Sequence, residues 1–138
     1  SEAAFMTGMP YPGENASNEC IKDLLLSLAK LGSKKIVITG VESADHKFGF
    51  MGYDSETKEF FEYYTPKVQM KSHGTGDVFA STFTGALMND YNIQDSLKIA
   101  ADFTKACINN TYNDPEAVNY AVNFESEIPY LLKLIRKV

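Results

Sequence analysis

His73-Gly74-Thr75-Gly76-Asp77-Val78-Phe79-Ala80 is a glycine-rich turn that runs directly into an apolar segment with the composition of a helix. The two glycines let the backbone bend sharply, and the start of the following helix offers N–H groups and the positive end of its dipole. Together these features predict a site for an anion such as phosphate. A carboxylate at Asp77 is useful there mainly if it accepts a proton, so the pattern favours phosphoryl transfer to a hydroxyl group.

The same stretch allows a simpler interpretation, in which Asp77 is the N-terminal cap of a helix and binds no ligand. It is not a Walker loop, which needs Gly-x-x-x-x-Gly-Lys-Ser/Thr, and it is not a dinucleotide fingerprint, because Phe79 stands where the third glycine should be. A different phosphate-binding design is therefore required. In that design we expect Gly76 to adopt a backbone conformation that a residue with a side chain could adopt only with strain.

The run of residues 74–77 resembles the Gly-Thr-Gly-Asp signature of the ribokinase-like kinases. His73 before it and residues 79–81 after it are most similar to pyridoxal (vitamin B6) kinases. Residues 1–8 resemble the end of the family's Asn-x-x-Glu segment, and residues 35–40 are similar to the family strand that ends at the nucleotide phosphates. These matches follow the family order and span the chain.

The resemblance implies an α/β fold, the C-terminal part of a ribokinase-like three-layer α/β/α fold with a β-hairpin insertion. Residues 1–138 would form the ATP-binding half of one kinase domain, with the N-terminal half absent. Because that half would supply most contacts to the phosphate acceptor, we expect the fragment alone to be inactive. We also expect it either to self-associate through the strand edge that the missing half would cover or to be the remnant of a longer chain.

The implied reaction is transfer of the ATP γ-phosphoryl group to the 5-hydroxymethyl group of pyridoxal, pyridoxine or pyridoxamine. By resemblance Asp77 is the base, and Glu2 orients Mg²⁺ through water. From its position near a helix start alone, Glu2 is better explained as a solvated carboxylate that the helix dipole favours. The implied anion hole comprises the amides of Gly74, Thr75, Gly76 and Asp77, and the implied nucleotide contacts are Thr39, Gly40, Thr75 and Asn110. The implied cofactors are ATP and Mg²⁺, with a monovalent cation as an option, and the full-length protein would be a homodimer.

Three alternatives remain open. A hydroxymethylpyrimidine kinase of thiamin synthesis shares the loop and differs mainly in its acceptor pocket. A ribokinase-type sugar kinase is less favoured, because His73 and Phe79 fit the vitamin group better. Outside enzymes, a nucleotide-binding domain could keep the loop without catalysis, although an intact Asp77 argues against it.

The composition argues against a nucleic-acid or membrane partner and leaves a small-molecule substrate as the expected partner. The net charge of −5 is spread along the chain without a Lys/Arg run, which argues against a nucleic-acid surface, and no segment has membrane-spanning length. His46 and His73 are too few for a histidine-based metal cluster. Cys20 and Cys107 fall on or near apolar helix faces, which predicts two buried free thiols and suits a reducing cytoplasm.

Apolar spacing and turn residues predict the order of helices and strands. We expect a short helix ended by Gly8, a second helix capped by Ser17 or Asn15, and a strand over residues 35–39 that is buried on both faces of a parallel sheet. An aromatic hairpin follows at residues 46–53 and 59–65. Its rings could stack on the base or ring of a ligand, but packing across the strands is the favoured interpretation. Later expectations are helices over 78–91, from Asp95 or Asn92 to Ile108, and from Pro129, with an edge strand over 120–124.

Overall fold

The computed structural model of the chain describes residues 1–13, 16–66, 73–117 and 121–136. The chain divides into two compact units, Ser1–Lys67 and Val68–Val138. The first unit combines helices with a three-stranded sheet, and the described part of the second unit is helical. Within each unit, helices and strands pack mainly against their neighbours in sequence.

The end of the first helix and the start of the second lie where their local sequence predicts. Helix α1 (Glu2–Thr7) ends at Gly8, which has a left-handed backbone with φ of 67°. Helix α2 (Asn18–Ala29) begins after Ser17, whose hydroxyl accepts a hydrogen bond from the N–H of Cys20 at 3.3 Å. The Ser17 cap is therefore confirmed, and Asn15 lies outside the described residues. The core-facing residues of α2 are Ile21, Leu24 and Leu25.

The sheet of the first unit contains β1 (Lys35–Glu42), β2 (Phe48–Asp54) and β3 (Glu59–Thr65) in the order β1-β2-β3. Both pairings are antiparallel, which confirms the hairpin formed by β2 and β3. The expected burial of β1 on both faces is wrong for the described residues, because Thr39 and Gly40 are exposed, and the neighbour of β1 there is the antiparallel β2. A short β-branched run indicates a strand but not the direction of its neighbour.

The aromatic residues of the hairpin pack across strands, as expected. Tyr53 and Phe60 are register partners with ring centroids 4.7 Å apart. Gly49 lies where β3 passes close to β2, since a β-carbon there would collide with the carbonyl oxygen of Tyr63 and lie 2.5 Å from Cδ1 of Tyr64. The close packing of β2 against β3 at this position therefore leaves no room for a side chain.

A carboxylate organises the turn between β2 and β3. Asp54 is buried and accepts hydrogen bonds from the N–H groups of Glu56 at 2.9 Å and Thr57 at 3.4 Å. Its Oδ2 atom lies 3.4 Å from Nζ of Lys35. Burial acts to raise the pKa of Asp54, but the two N–H groups and Lys35 outweigh it, so the pKa is lowered.

The second unit contains α3 (Thr75–Met88), α4 (Ile93–Asn113), a 3₁₀ turn (Glu125–Glu127) and α5 (Ile128–Ile135). The three predicted helices are confirmed, although α3 begins before Val78 and α4 continues beyond Ile108. Asn92 rather than Asp95 caps α4, because its side chain accepts the N–H of Asp95 at 2.7 Å. Pro129 lies in the first turn of α5, where its missing N–H costs nothing.

Helices α3 and α4 pack against each other, and α5 packs against α4. Phe79, whose position in the sequence suggested a vitamin B6 kinase, is buried. The centroid of its ring lies 6.2 Å from that of Phe83. The hydroxyl of Tyr91 donates to the carbonyl of Ile135 at 2.8 Å and so joins the end of α5 to the α3–α4 loop.

Two further expectations are corrected in the described residues. Residues 121–124 form no strand, and Tyr120 lies outside the description. Cys107 is buried, as predicted, but Cys20 is exposed. Burial raises the pKa of the Cys107 thiol to about 11, and the nearby charge of Glu127 contributes. Within the described part of the chain, no helix has both the length and the hydropathy to cross a membrane.

Candidate functional site

The start of α3 has the geometry of an anion site. Gly74 precedes the helix in a left-handed conformation, with φ of 86° and ψ of −5°. The first hydrogen bond of the helix runs from the N–H of Val78 to the carbonyl of Gly74 at 3.0 Å. In an α-helix generally, the N–H groups that precede this bond have no acceptor among the helix's own carbonyls and point toward the space before the helix. The structure thus brings together the four residues of the predicted anion hole.

The two glycines of the turn have different roles. Gly76 is a helical residue with no left-handed backbone, and a β-carbon there would meet no atom within 4 Å. The expectation that Gly76 is the conformationally closed position is therefore wrong, and Gly74 occupies that position. The open space beside Gly76 suits close approach of a ligand to the backbone.

Asp77 is exposed in the first turn of α3. The capping interpretation fails, because the cap residue is Gly74 and no side chain makes a cap hydrogen bond. The positive end of the helix dipole favours a carboxylate in this turn. Asp77 is therefore placed beside the turn amides without serving as the helix cap.

A cleft of about 390 Å³ extends from Asp77 along α3. Its walls come from α3, α4 and α5 and are mostly apolar, including Val78, Phe103, Ile128 and Leu131. Among the described lining residues, Asp77 has the only ionisable side chain. An apolar cleft with one acidic group at its end is a common form of small-molecule site.

The remaining predicted site residues are distributed between the units. In the second unit, Asn110 is half-buried and donates from Nδ2 to Oγ of Ser126 at 2.7 Å. In the first unit, Thr39 and Gly40 lie next to each other on β1, and Glu2 is exposed in the first turn of α1. Gly40 has φ of 71° and interrupts the β1–β2 register between Thr39 and Val41, which is a β-bulge.

The fit of the chain to Mg²⁺ depends on very few ligands. The described ranges contain no group of three or more His, Cys, Asp or Glu side chains that could hold a metal. Magnesium is usually held by one or two carboxylates together with substrate phosphates and waters. The exposed carboxylate of Glu2 fits that limited role, and so the residues present are compatible with a metal that arrives with the nucleotide.

Sequence reasoning missed the segment that packs behind the glycine turn. Val122 is buried against Phe103 and Cys107, and Val78 packs against the same cluster. Asn123 donates its N–H to Oγ1 of Thr111 at 2.8 Å. No motif marks these residues, and their aromatic and β-branched neighbours suggested a strand.

The glycine turn that opens α3 and the acid in its first turn are the features on which the resemblance to the ribokinase-like kinases rests. A family model described as phosphomethylpyrimidine kinase matches residues 1–122. The chain belongs to this family, and the resemblance to the ribokinase-like kinases is confirmed. No curated protein is significantly similar to the chain.

Solved structures agree with the family. The chain is 25% identical to a protein from Bacteroides thetaiotaomicron provisionally assigned as a phosphomethylpyrimidine kinase, with a TM-score of 0.84 over 99% of this chain and 46% of that one. Pyridoxal kinase from Lactobacillus plantarum gives 24% identity and a TM-score of 0.79 over 96% of this chain and 47% of that one. Pyridoxal kinase from Entamoeba histolytica gives 18% identity and a TM-score of 0.75 over 96% of this chain and 45% of that one. The chain thus spans a little under half the length of these structures.

Proposed function

We propose that this chain is the nucleotide-binding part of a kinase that transfers the γ-phosphoryl group of ATP to a primary hydroxyl on a heteroaromatic ring. The observation that carries the proposal is the start of α3. There a left-handed Gly74, an open backbone at Gly76 and an exposed, non-capping Asp77 occur within four residues. A helix cap alone requires neither the open glycine nor the exposed acid.

In the proposed reaction, Asp77 accepts the proton of the acceptor hydroxyl as its oxygen forms a bond to the γ-phosphorus. The bond from that phosphorus to the bridging oxygen breaks, and ADP leaves. The amides of the Gly74–Asp77 turn stabilise the charge on the transferred group, which is the main requirement of phosphoryl transfer. Thr39 and Gly40 would contact the triphosphate, and Asn110 would border the adenine.

Mg²⁺, when bound with the nucleotide, would supply neutralisation of the phosphate charge, and Glu2 would orient it through water. A monovalent cation would be a further cofactor, and the whole protein would act as a homodimer in the cytoplasm. A reducing compartment suits the free thiol of Cys107.

For the acceptor, we propose the 5-hydroxymethyl group of pyridoxal, pyridoxine or pyridoxamine. Support comes from the likeness of His73 and its surroundings to pyridoxal kinases and from two neighbouring structures that are pyridoxal kinases. A second crystal form of the Bacteroides protein contains pyridoxal. The second candidate is hydroxymethylpyrimidine, which the description of the matching family favours.

The decisive experiment compares Asp77→Asn with wild type in the complete protein. Turnover should fall by roughly 10² to 10⁴ while nucleotide affinity changes little, because the substitution keeps the shape and removes the basicity. Asp95→Asn is the matched control, because Asp95 is the exposed third residue of α4 as Asp77 is of α3. The control loses a similar helix-dipole interaction and should keep full turnover.

The acceptor is tested by comparing kcat/KM for pyridoxal with that for hydroxymethylpyrimidine. A preference for hydroxymethylpyrimidine would replace the first candidate with the second. Turnover of Asp77→Asn within a few-fold of wild type would remove Asp77 from the mechanism. ATP binding without turnover of either acceptor would favour a non-catalytic nucleotide-binding domain.

A further inference from the structure

The glycine turn at the start of α3 rests on a segment far from it in sequence. Cγ1 of Val122 lies 3.8 Å from the position that a β-carbon on Gly74 would occupy, so the Val122 side chain is next to the turn. Val122 is 7% exposed and belongs to a cluster with Phe103 and Cys107. Val78, the first residue after the turn, packs against the same cluster. Gly74, before Gly76 and Asp77, and Val78, after them, therefore both lie against the cluster that contains Val122.

Hydrogen bonds hold Val122 in place through the residue that follows it. The N–H of Asn123 donates to Oγ1 of Thr111 at 2.8 Å, and Nδ2 of Asn123 donates to Oδ2 of Asp114 at 2.9 Å. The Thr111 hydroxyl donates in turn to the carbonyl of Cys107 at 2.7 Å, and Thr111 is 1% exposed. The Thr111 hydroxyl thus joins the segment to α4 through its acceptor capacity, while its own donor bond within α4 holds the hydroxyl in place.

We infer that Thr111 and Asn123 are positioning residues for the anion-binding turn. They hold Val122 against Gly74 and thereby set the direction of the turn amides. This inference rests on the proposed function, since it assigns these residues to the same site. Amide donors stabilise a transition state only while they point at the place where charge develops, so a small displacement of the turn lowers turnover more than substrate binding.

The test uses Thr111→Val and Thr111→Ser in the complete protein. Valine keeps the shape of threonine but removes the acceptor for the Asn123 N–H, whereas serine keeps the hydroxyl. We expect Thr111→Val to lower kcat about tenfold or more with little change in the KM for ATP. Thr111→Ser should recover most of the loss.

Thr104 offers a matched control on the same helix. Thr104 is buried, and its hydroxyl has no hydrogen-bond partner among the described residues. Thr104→Val is therefore the same chemical change at a site that does not hold the segment, and it should leave kcat unchanged. If Thr111→Val fails to fold, Val122→Ala removes the side chain that lies next to Gly74 and should give the same kinetic pattern.

A second readout does not depend on kinase activity. The amide NMR shifts of Gly74, Gly76 and Asp77 should move in Thr111→Val and stay unchanged in Thr104→Val. The inference is overturned if folded Thr111→Val or Val122→Ala keeps both the wild-type kcat and the wild-type shifts of the turn. A wild-type protein without turnover, whose turn shifts still respond to Thr111→Val, would count against the proposed function and not against the positioning role.

Discussion

Replacing each glycine of the turn by alanine should separate backbone strain from ligand access. Gly74 has φ of 86°, a conformation in which a β-carbon costs roughly 1–2 kcal/mol. Gly76 is helical with open space around it, so alanine there should stabilise the folded state by up to about 0.5–1 kcal/mol. The two variants should thus differ in the free energy of unfolding by roughly 1.5–3 kcal/mol, in opposite directions from wild type.

Their activities should not follow their stabilities. The methyl group of Gly76→Ala would occupy the open space beside the turn amides, so this variant should bind ATP and turn over more weakly although it is more stable. Urea unfolding and turnover of the complete protein measure the two effects. Gly32→Ala is the control for strain alone, because Gly32 has φ of 108° and no atom near its missing side chain, but lies after α2. It should lose stability and keep activity.

Two results would refute this reasoning. If Gly76→Ala is more stable and fully active, the space beside Gly76 is not used by the phosphate. If Gly74→Ala is as stable as Gly76→Ala, the left-handed conformation of Gly74 does not constrain the turn.

Three further predictions concern stability and reactivity. Gly49→Ala should lower the free energy of unfolding by roughly 1–3 kcal/mol, since the methyl would collide with the backbone of β3, and an unchanged urea midpoint would contradict the close packing. The lowered pKa of Asp54 stabilises the protein above the unfolded value of about 3.8, and this contribution is lost as the pH falls through the folded pKa. Acid unfolding of Asp54→Asn should lack that part of the pH dependence, and identical acid curves would disprove it. A thiol reagent should modify exposed Cys20 quickly and buried Cys107 only after unfolding, so equal rates would rule out the burial of Cys107.

Local signals were the part of the fold that the sequence predicted well. The cap residues Ser17 and Asn92, the left-handed Gly8 and the first-turn Pro129 each act within one helical turn. Their effect on the backbone is a property of three or four adjacent residues, and such rules need no knowledge of distant contacts.

The errors depend on contacts between residues far apart in the chain. The direction of the strand next to β1 is set by which segment pairs with it, and residues 35–39 have no pattern that distinguishes the two directions. Val122 lies in an irregular segment rather than a strand because its neighbour Asn123 bonds to Thr111. The exposure of Cys20 likewise follows from which face of α2 meets the sheet.

The candidate site was predicted in the same uneven way. The Gly74–Asp77 turn was identified correctly as the start of a helix, because its glycines and its acid are adjacent in sequence. The sequence did not predict that Gly74, rather than Gly76, has the left-handed backbone, since this depends on where the first helical hydrogen bond forms. The bulge at Gly40 also required the register of β1 against β2.

Packing between sequence neighbours also has a consequence for how the protein folds. The main packing partners are α2 with β1, β1 with β2, β2 with β3, and α3 with α4. Contacts of this kind close short loops, so little chain entropy is lost before each contact forms. Each such pair of neighbouring helices or strands can therefore form soon after its second member is synthesised.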